Sequence, residues 1–278
     1  MNNLQKRMRP LLGCFVEIAL PVSATEAQAA FNSAFARIEL IQQLLSFHDP
    51  ASDLSRLNSA QGKAINCHPL STQCLRLAQA MTRVSSGRFN CTLGAVLTAR
   101  GALPNHNFQN LYGAELQAYG EWRDMELTRD TARLCKPVLI TLDGIAKGFA
   151  VDCAVAELQR AGIREGWINA GGDIRVFGEI VLPIAVRDHL GKDHLMGGLQ
   201  NAAIATSISN ASPEFPGLLL DSAGNQILSM TSTVIARSAW RADALTKVAA
   251  ATAASERTMS LASLGGRWVA IGDSDQSS

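Results

Sequence analysis

The chain has 278 residues, 47% of them hydrophobic and 18% charged, enough apolar material to bury a sizeable core in one large domain or two smaller ones. With 25 basic and 24 acidic residues its formal net charge is +1, which excludes the broad basic footprint of a nucleic-acid or anionic-membrane binder and leaves any anion to be held locally. The six cysteines (Cys14, Cys67, Cys74, Cys91, Cys135, Cys153) form no CxxC pair and the five histidines show no zinc spacing, so the cysteines read as mostly reduced, buried thiols.

In chain order, MNNLQKRMRPLLGC places basic residues ahead of LLGC, a superficial likeness to a lipoprotein cleavage site. A signal peptide needs an apolar core of about 7 to 15 residues before its cleavage site, and only Leu11 and Leu12 precede Gly13. Leu11 to Leu20 is therefore expected as a first strand. With no apolar run approaching the roughly 20 residues of a membrane span, the chain reads as cytoplasmic. Ser23 and Glu26 make a capping box, and Ala27, Phe31, Ala34, Phe35, Ile38, Ile41 and Leu45 follow at helical spacing, predicting a helix from about Thr25 to Phe47. FHDPASDLSRLNSAQG has loop chemistry with a short helical turn at Leu54 to Asn58; Ser71 to Ser85 is a second helix, ended by Gly87. Thr92 is the expected cap of a further short helix.

Residues 101–136 have weak periodicity and are expected to connect, holding a helix or a strand pair. From Val138 strands dominate: Val138 to Leu142, Trp167 to Asn169, Ile174 to Val176, Val181 to Val186, Ala202 to Thr206, Leu218 to Leu220, Met230 to Ile235 and Trp268 to Ile271. Helices at Ile145 to Ala161 and Ala239 to Ala253 interrupt them. Hairpin-ordered strands after one crossover helix imply an α+β fold, mixed or antiparallel sheets flanked by helices, as a single compact domain over residues 1–278.

The stretch with the most chemistry is LDGIAKGFAVD, Leu142 to Asp152. A strand that passes through Gly144 into a helix leaves backbone N–H groups and the positive end of the helix dipole facing one spot, which attracts anions. Lys147 adds charge there. Asp143 would repel a phosphate unless it turns away or a cation lies between them, which suggests a metal-assisted phosphate site. The alternative is an ordinary strand, turn and helix with a solvated lysine. NAGGDI (Asn169 to Ile174) allows close backbone approach at Gly171 and Gly172, or simply makes a tight hairpin. IATSISN ends a strand in hydroxyls, equally suited to a ligand or an edge. ADALTK carries Asp243 in the first turn of a helix, where the dipole favours a carboxylate without any metal.

In order, these stretches resemble the FAD:protein FMN transferases, the thiamine-biosynthesis lipoprotein or ApbE family. The likeness rests on LGC at 12–14, SDLSRLN at 52–58, SSGRFNCT at 85–92, LDGIAKGFAVD at 142–152, NAGGDI at 169–174, ATS at 205–207 and ADALTK at 242–247. It implies an ApbE-like, T-fold-related domain. It also implies FAD as substrate, Mg²⁺ on the pyrophosphate, transfer of FMN to a Ser or Thr of an acceptor protein, and release of AMP. By resemblance, the Ala146 carbonyl and Asp243 hold the metal, with Thr246 nearest the family's assisting threonine. Asp243 and Asp221 are the catalytic acids. Leu12, Ser55, Asn58, Asn90, Lys147, Asp152, Gly171, Gly172, Asp173, Thr206 and Ser207 border the flavin.

Four positions depart from the family pattern. Lys247 stands where the family has its metal-assisting threonine, Leu218 where it has a histidine, Asn90 for an acid and Leu12 for a methionine. A lysine at 247 would repel a divalent ion or substitute for it. The alternatives to a transferase are therefore a flavin-binding or scaffold member without turnover and an FAD pyrophosphate hydrolase. A P-loop hydrolase and a dinucleotide-fold dehydrogenase are excluded by the absence of GxxxxGK[ST] and of an early GxGxxG. Asp243 is expected to fold back against the start of the helix at Ile145.

Overall fold

The protein is described from a computed structural model, which covers residues 4–21, 24–187, 192–209, 219–221, 223–227 and 230–270. Ser23 of the expected capping box, Asn210, Leu218 and Ile271 lie outside these residues.

A seven-stranded sheet forms the centre. Its strands lie in the order Gln5–Leu11, Cys14–Leu20, Gly166–Ala170, Asp173–Phe177, Ala203–Ser209, Met230–Ala236 and Gly266–Val269, and every neighbouring pair is antiparallel. The single strand expected from Leu11 to Leu20 is instead half of a hairpin. Leu12 and Gly13 have φ of 57° and 70°, the left-handed pair that a two-residue turn needs to match strand twist. A leucine pays sterically for that conformation, so the sequence pattern alone did not reveal the turn.

One face of the sheet carries helices. Ala24–Leu45 buries Ala27, Phe31, Ala34, Phe35, Ile38, Ile41 and Leu45, the expected stripe, and packs on the helix Ala146–Arg160. That helix in turn packs on Ala239–Ala250, which lies on strands Ala203–Ser209 and Met230–Ala236. The two helices cross closely: a Cβ on Gly148 would lie 2.4 Å from the Ala239 carbonyl oxygen. The other face is covered by the ribbon Val181–Arg187 with Asp193–Gln200, around Trp167, Val176, Ile184, Val186, Leu199 and Ile204. The second ribbon strand was not expected, because DHLMGGLQ lacks β-branched residues and carries two glycines.

The α+β layout with antiparallel sheets and flanking helices is thus the one expected. Pro69–Val84 and Asp53–Asn58 match the predicted helix and helical turn. Residues 101–136 contain both expected possibilities, a short helix Phe108–Tyr112 and the strand pair Met125–Leu127 with Thr131–Leu134. Helix Ala254–Ser263 was missed as a separate element. Thr92 does not cap the helix Gly94–Ala99; its hydroxyl donates to Asn90 Oδ1 at 2.8 Å and accepts from the Gly120 N–H at 2.7 Å.

Val138 to Leu142 is not a strand of any sheet. It is a buried extended segment whose backbone groups are met one at a time: Asn58 donates to the Ile140 carbonyl at 2.8 Å and accepts from its N–H at 2.7 Å. The Gly94 N–H donates to Leu139 O at 3.0 Å and the Thr141 N–H to Cys91 O at 2.8 Å. A fully apolar run satisfies either a central strand or such a threaded segment, and periodicity cannot separate them.

Candidate active site

The threaded segment delivers Asp143 and Gly144 to the junction of two cavities. The larger, of about 500 Å³, lies between the Leu12–Gly13 turn, the end of helix Ala24–Leu45, His48 and the Ala146–Lys147 turn. The smaller, of about 280 Å³, lies between Phe89, Asn90, Leu97, Gly144, Ser207 and Lys247. Asp143 borders both. Its side chain is open to solvent, yet desolvation by the surrounding walls, assisted by Asp243, raises its pKa against the opposing pull of His48 and Lys247.

Two acid–lysine pairs flank this junction. Lys147 Nζ lies 2.9 Å from Asp173 Oδ2, and Asp173 is buried. Burial and then Asp243 push the Asp173 carboxyl up to about 6, although both lysines pull the other way. Burial alone would lower the Lys147 pKa, but Asp173 and Asp243 together hold it above the ordinary range. In the second pair, Lys247 Nζ contacts Asp243 Oδ1 at 2.5 Å, Ser207 Oγ at 3.0 Å and Asp243 O at 3.3 Å. Asp243 Oδ2 accepts from the Gly148 N–H at 3.3 Å, so it meets a free amide in the first turn of the neighbouring helix. Asp243 does fold back against that helix start.

Residues 12–215 match the profile of the ApbE family. The chain belongs to the ApbE family. Over 163 residues it is 31% identical to the FAD:protein FMN transferase of Rhodobacter capsulatus, in a match covering 55% of this chain and 31% of that protein, so the chain spans about a third of this curated relative's length. The ApbE protein of Thermotoga maritima superposes with a TM-score of 0.82 at 21% identity, covering 95% of this chain and 93% of that one. The apo flavinyl transferase ApbE of Pseudomonas stutzeri does so with 0.79 at 17% identity, covering 95% and 89%. At these identities the structural likeness is one of fold.

Of the site residues expected for this ApbE-family chain, Leu12, Ala146 and Lys147 line the larger cavity and Asn90 and Ser207 the smaller. Asp173 reaches the junction through Lys147. Thr246 is fully buried behind it, donating to Asp243 O at 2.7 Å and paired with Ser207 Oγ at 2.7 Å.

The others do not line either cavity, and each has a structural task. Ser55 donates to the Phe47 carbonyl at 3.2 Å and Asn58 clamps Ile140, so SDLSRLN braces the walls. Asp152 accepts from the N–H groups of Ala239 at 3.0 Å and Trp240 at 2.9 Å, docking the helix that carries Asp243. Gly171 and Gly172 form a hairpin turn, and a Cβ on Gly171 would meet Cys14 Cβ at 2.9 Å; the close approach is to protein. Thr206 Oγ1 pairs with Thr233 Oγ1 at 3.0 Å. Asp221 accepts from the N–H groups of Ala223 and Asn225 and from the Asn225 side-chain amide within its own turn; desolvation is the largest single influence and raises its pKa, but these bonds together outweigh it and lower the pKa. His48 was not among the expected site residues, and Asp143 was expected at the site only as a charge that a phosphate must avoid or a cation must balance. Asp143 was visible as the misplaced charge of its motif; His48 carried no signal beyond a polar loop.

Proposed function

We propose that the chain binds FAD across the junction at Asp143 and transfers FMN from it to a Ser or Thr hydroxyl of an acceptor protein. The observation that carries this reading is the pair of cavities meeting at Asp143 beside the Gly144–Lys147 turn, a shape suited to a ligand with two lobes and an anionic link. The ApbE family membership and the R. capsulatus relative support the same reaction class. In it the acceptor oxygen forms a bond to the phosphorus on the FMN side, the bond to the AMP phosphate breaks, and the hydroxyl proton leaves. Asp143, with its raised pKa and its place between the cavities, is suited to take that proton. Lys147 and the turn amides favour the developing phosphate charge.

The Mg²⁺ that the resemblance implies would rest on Ala146, Asp243 and Thr246. These residues do not fit it: Lys247 and the Gly148 N–H engage the two Asp243 carboxylate oxygens, and Thr246 Oγ1 is turned onto Asp243 O and Ser207. The commitment of the Asp243 and Asp221 carboxylates to protein partners favours a second reading, a flavin-binding member without turnover.

Incubation with FAD and an acceptor protein, followed by mass spectrometry of the acceptor and chromatography for AMP and FMN, separates the readings. FMN on the acceptor with equimolar AMP supports transfer; AMP and free FMN indicate hydrolysis; bound, unaltered FAD indicates the silent member. Asp143→Asn is expected to keep FAD binding and slow transfer by about 10²-fold. Unchanged transfer by this variant would remove Asp143 from the reaction.

A further inference from the structure

We propose that the Lys247 ammonium permanently holds the cation place of this site, so that the chain binds a diphosphate ligand without a divalent ion. The inference rests on the flavin reading for the identity of that ligand, but its basis is local. Asp243 is 1% exposed, and a buried carboxylate needs a compensating charge. Lys247, four residues on in the same helix, supplies it from within the chain. The ammonium has three protons, and three oxygens surround it: Asp243 Oδ1, the Asp243 carbonyl and Ser207 Oγ. An all-oxygen shell around a compact charge is what a hard cation would take; here a tethered cation fills it.

The surroundings exclude a second cation at the same point. Thr246 and Ser207 hydroxyls bond each other, and Gly144 packs against the lysine stem, where even an added Cβ would lie 3.2 Å from Lys247 Cε. A divalent ion arriving at Asp243 would have to displace an ammonium tethered four residues on in the same helix. Lys247 nevertheless borders the smaller cavity beside Asp143 and Gly144. A phosphate oxygen entering there can replace Ser207 as the third acceptor, while Asp243 keeps the ammonium oriented. Lys147 neutralises Asp173 on the other side, so the local acids are already balanced except for Asp143.

The test pairs Mn²⁺ binding, read by electron paramagnetic resonance on the ligand-free chain, with FAD titrations in EDTA and in excess Mg²⁺. The wild type should bind no stoichiometric Mn²⁺, and its FAD affinity should agree within about twofold in the two buffers, whereas a phosphate ligand that needs a metal loses far more than that. Lys247→Thr should bind FAD at least about tenfold more weakly in EDTA, recover in Mg²⁺ and gain one Mn²⁺ site that Asp243→Asn abolishes. Lys247→Arg should keep metal-independent binding.

One bound Mn²⁺ in the wild type that is lost in Asp243→Asn, or wild-type FAD affinity raised about tenfold or more by Mg²⁺, would overturn the proposal. If Lys247→Thr fails to fold, these wild-type comparisons still decide. Absence of FAD binding in both buffers would instead defeat the flavin reading. ADP, a diphosphate without flavin, then replaces FAD in the same titrations: metal-independent ADP binding sustains the Lys247 proposal, and no binding of either ligand ends it.

Discussion

A carboxylate at a helix N-terminus stabilises it by accepting unpaired N–H groups, and Asp152 does this for a helix on which it does not sit. Ser238, at the cap position of Ala239–Ala250, makes no side-chain cap bond, so the task falls to Asp152. Asp152→Ala should cost about 1–2 kcal/mol, seen as a lower urea midpoint with unchanged slope. No loss of stability would mean that water serves those amides equally well.

Asp173 offers a pH signature. Its folded-state pKa of about 6 lies above the roughly 3.9 of an unfolded aspartate, so the folded state holds the proton more tightly. Its contribution to stability is therefore full below about pH 4 and falls as pH rises through 6. Asp173→Asn removes that slope. Urea denaturation at several pH values from 4 to 7 should show wild-type stability declining relative to the variant as pH rises; a flat or rising difference would contradict the buried, acid-crowded setting of Asp173.

At the level of elements, the segment from Val138 to Leu142 has no ladder, and Asn58 stands in for a neighbouring strand with both halves of its amide. Asn58→Ala removes two hydrogen bonds and leaves a buried N–H and a buried C=O unpaired, which should cost about 2–4 kcal/mol. It should also loosen the Asp143 turn that this segment delivers. Hydrogen exchange of the Ile140 amide, with urea denaturation, checks both effects; an Ile140 amide as protected as in the wild type would show that another group replaces Asn58. The run VLIT was legible as buried and extended, but not as unpaired, because its partners lie at Asn58, Cys91 and Gly94. Helix Ala24–Leu45 was legible because its apolar stripe repeats from Ala27 to Leu45. The Leu12–Gly13 turn was not, since leucine gives no sign of a left-handed backbone.

At the scale of the molecule, the candidate site joins residues near 12, 48, 90, 143, 207 and 247, which no local pattern brings together. The motif side chains divide into those facing the cavities and those bracing them, as Ser55, Asn58 and Asp152 do. The two-cavity shape then makes its own prediction about ligands. If one dinucleotide spans the junction, its two lobes occupy different walls, and fragments lacking the diphosphate should not exclude each other. Riboflavin and AMP should bind together, each more weakly than FAD by about tenfold or more, because linking them replaces two independent associations by one. Leu97→Trp, which fills part of the smaller cavity, should weaken only one of the two fragments. Calorimetric titration of riboflavin with and without saturating AMP reads this directly. Strict competition between them, or equal weakening of both by Leu97→Trp, would place both lobes in one cavity and leave the other without a part in flavin binding.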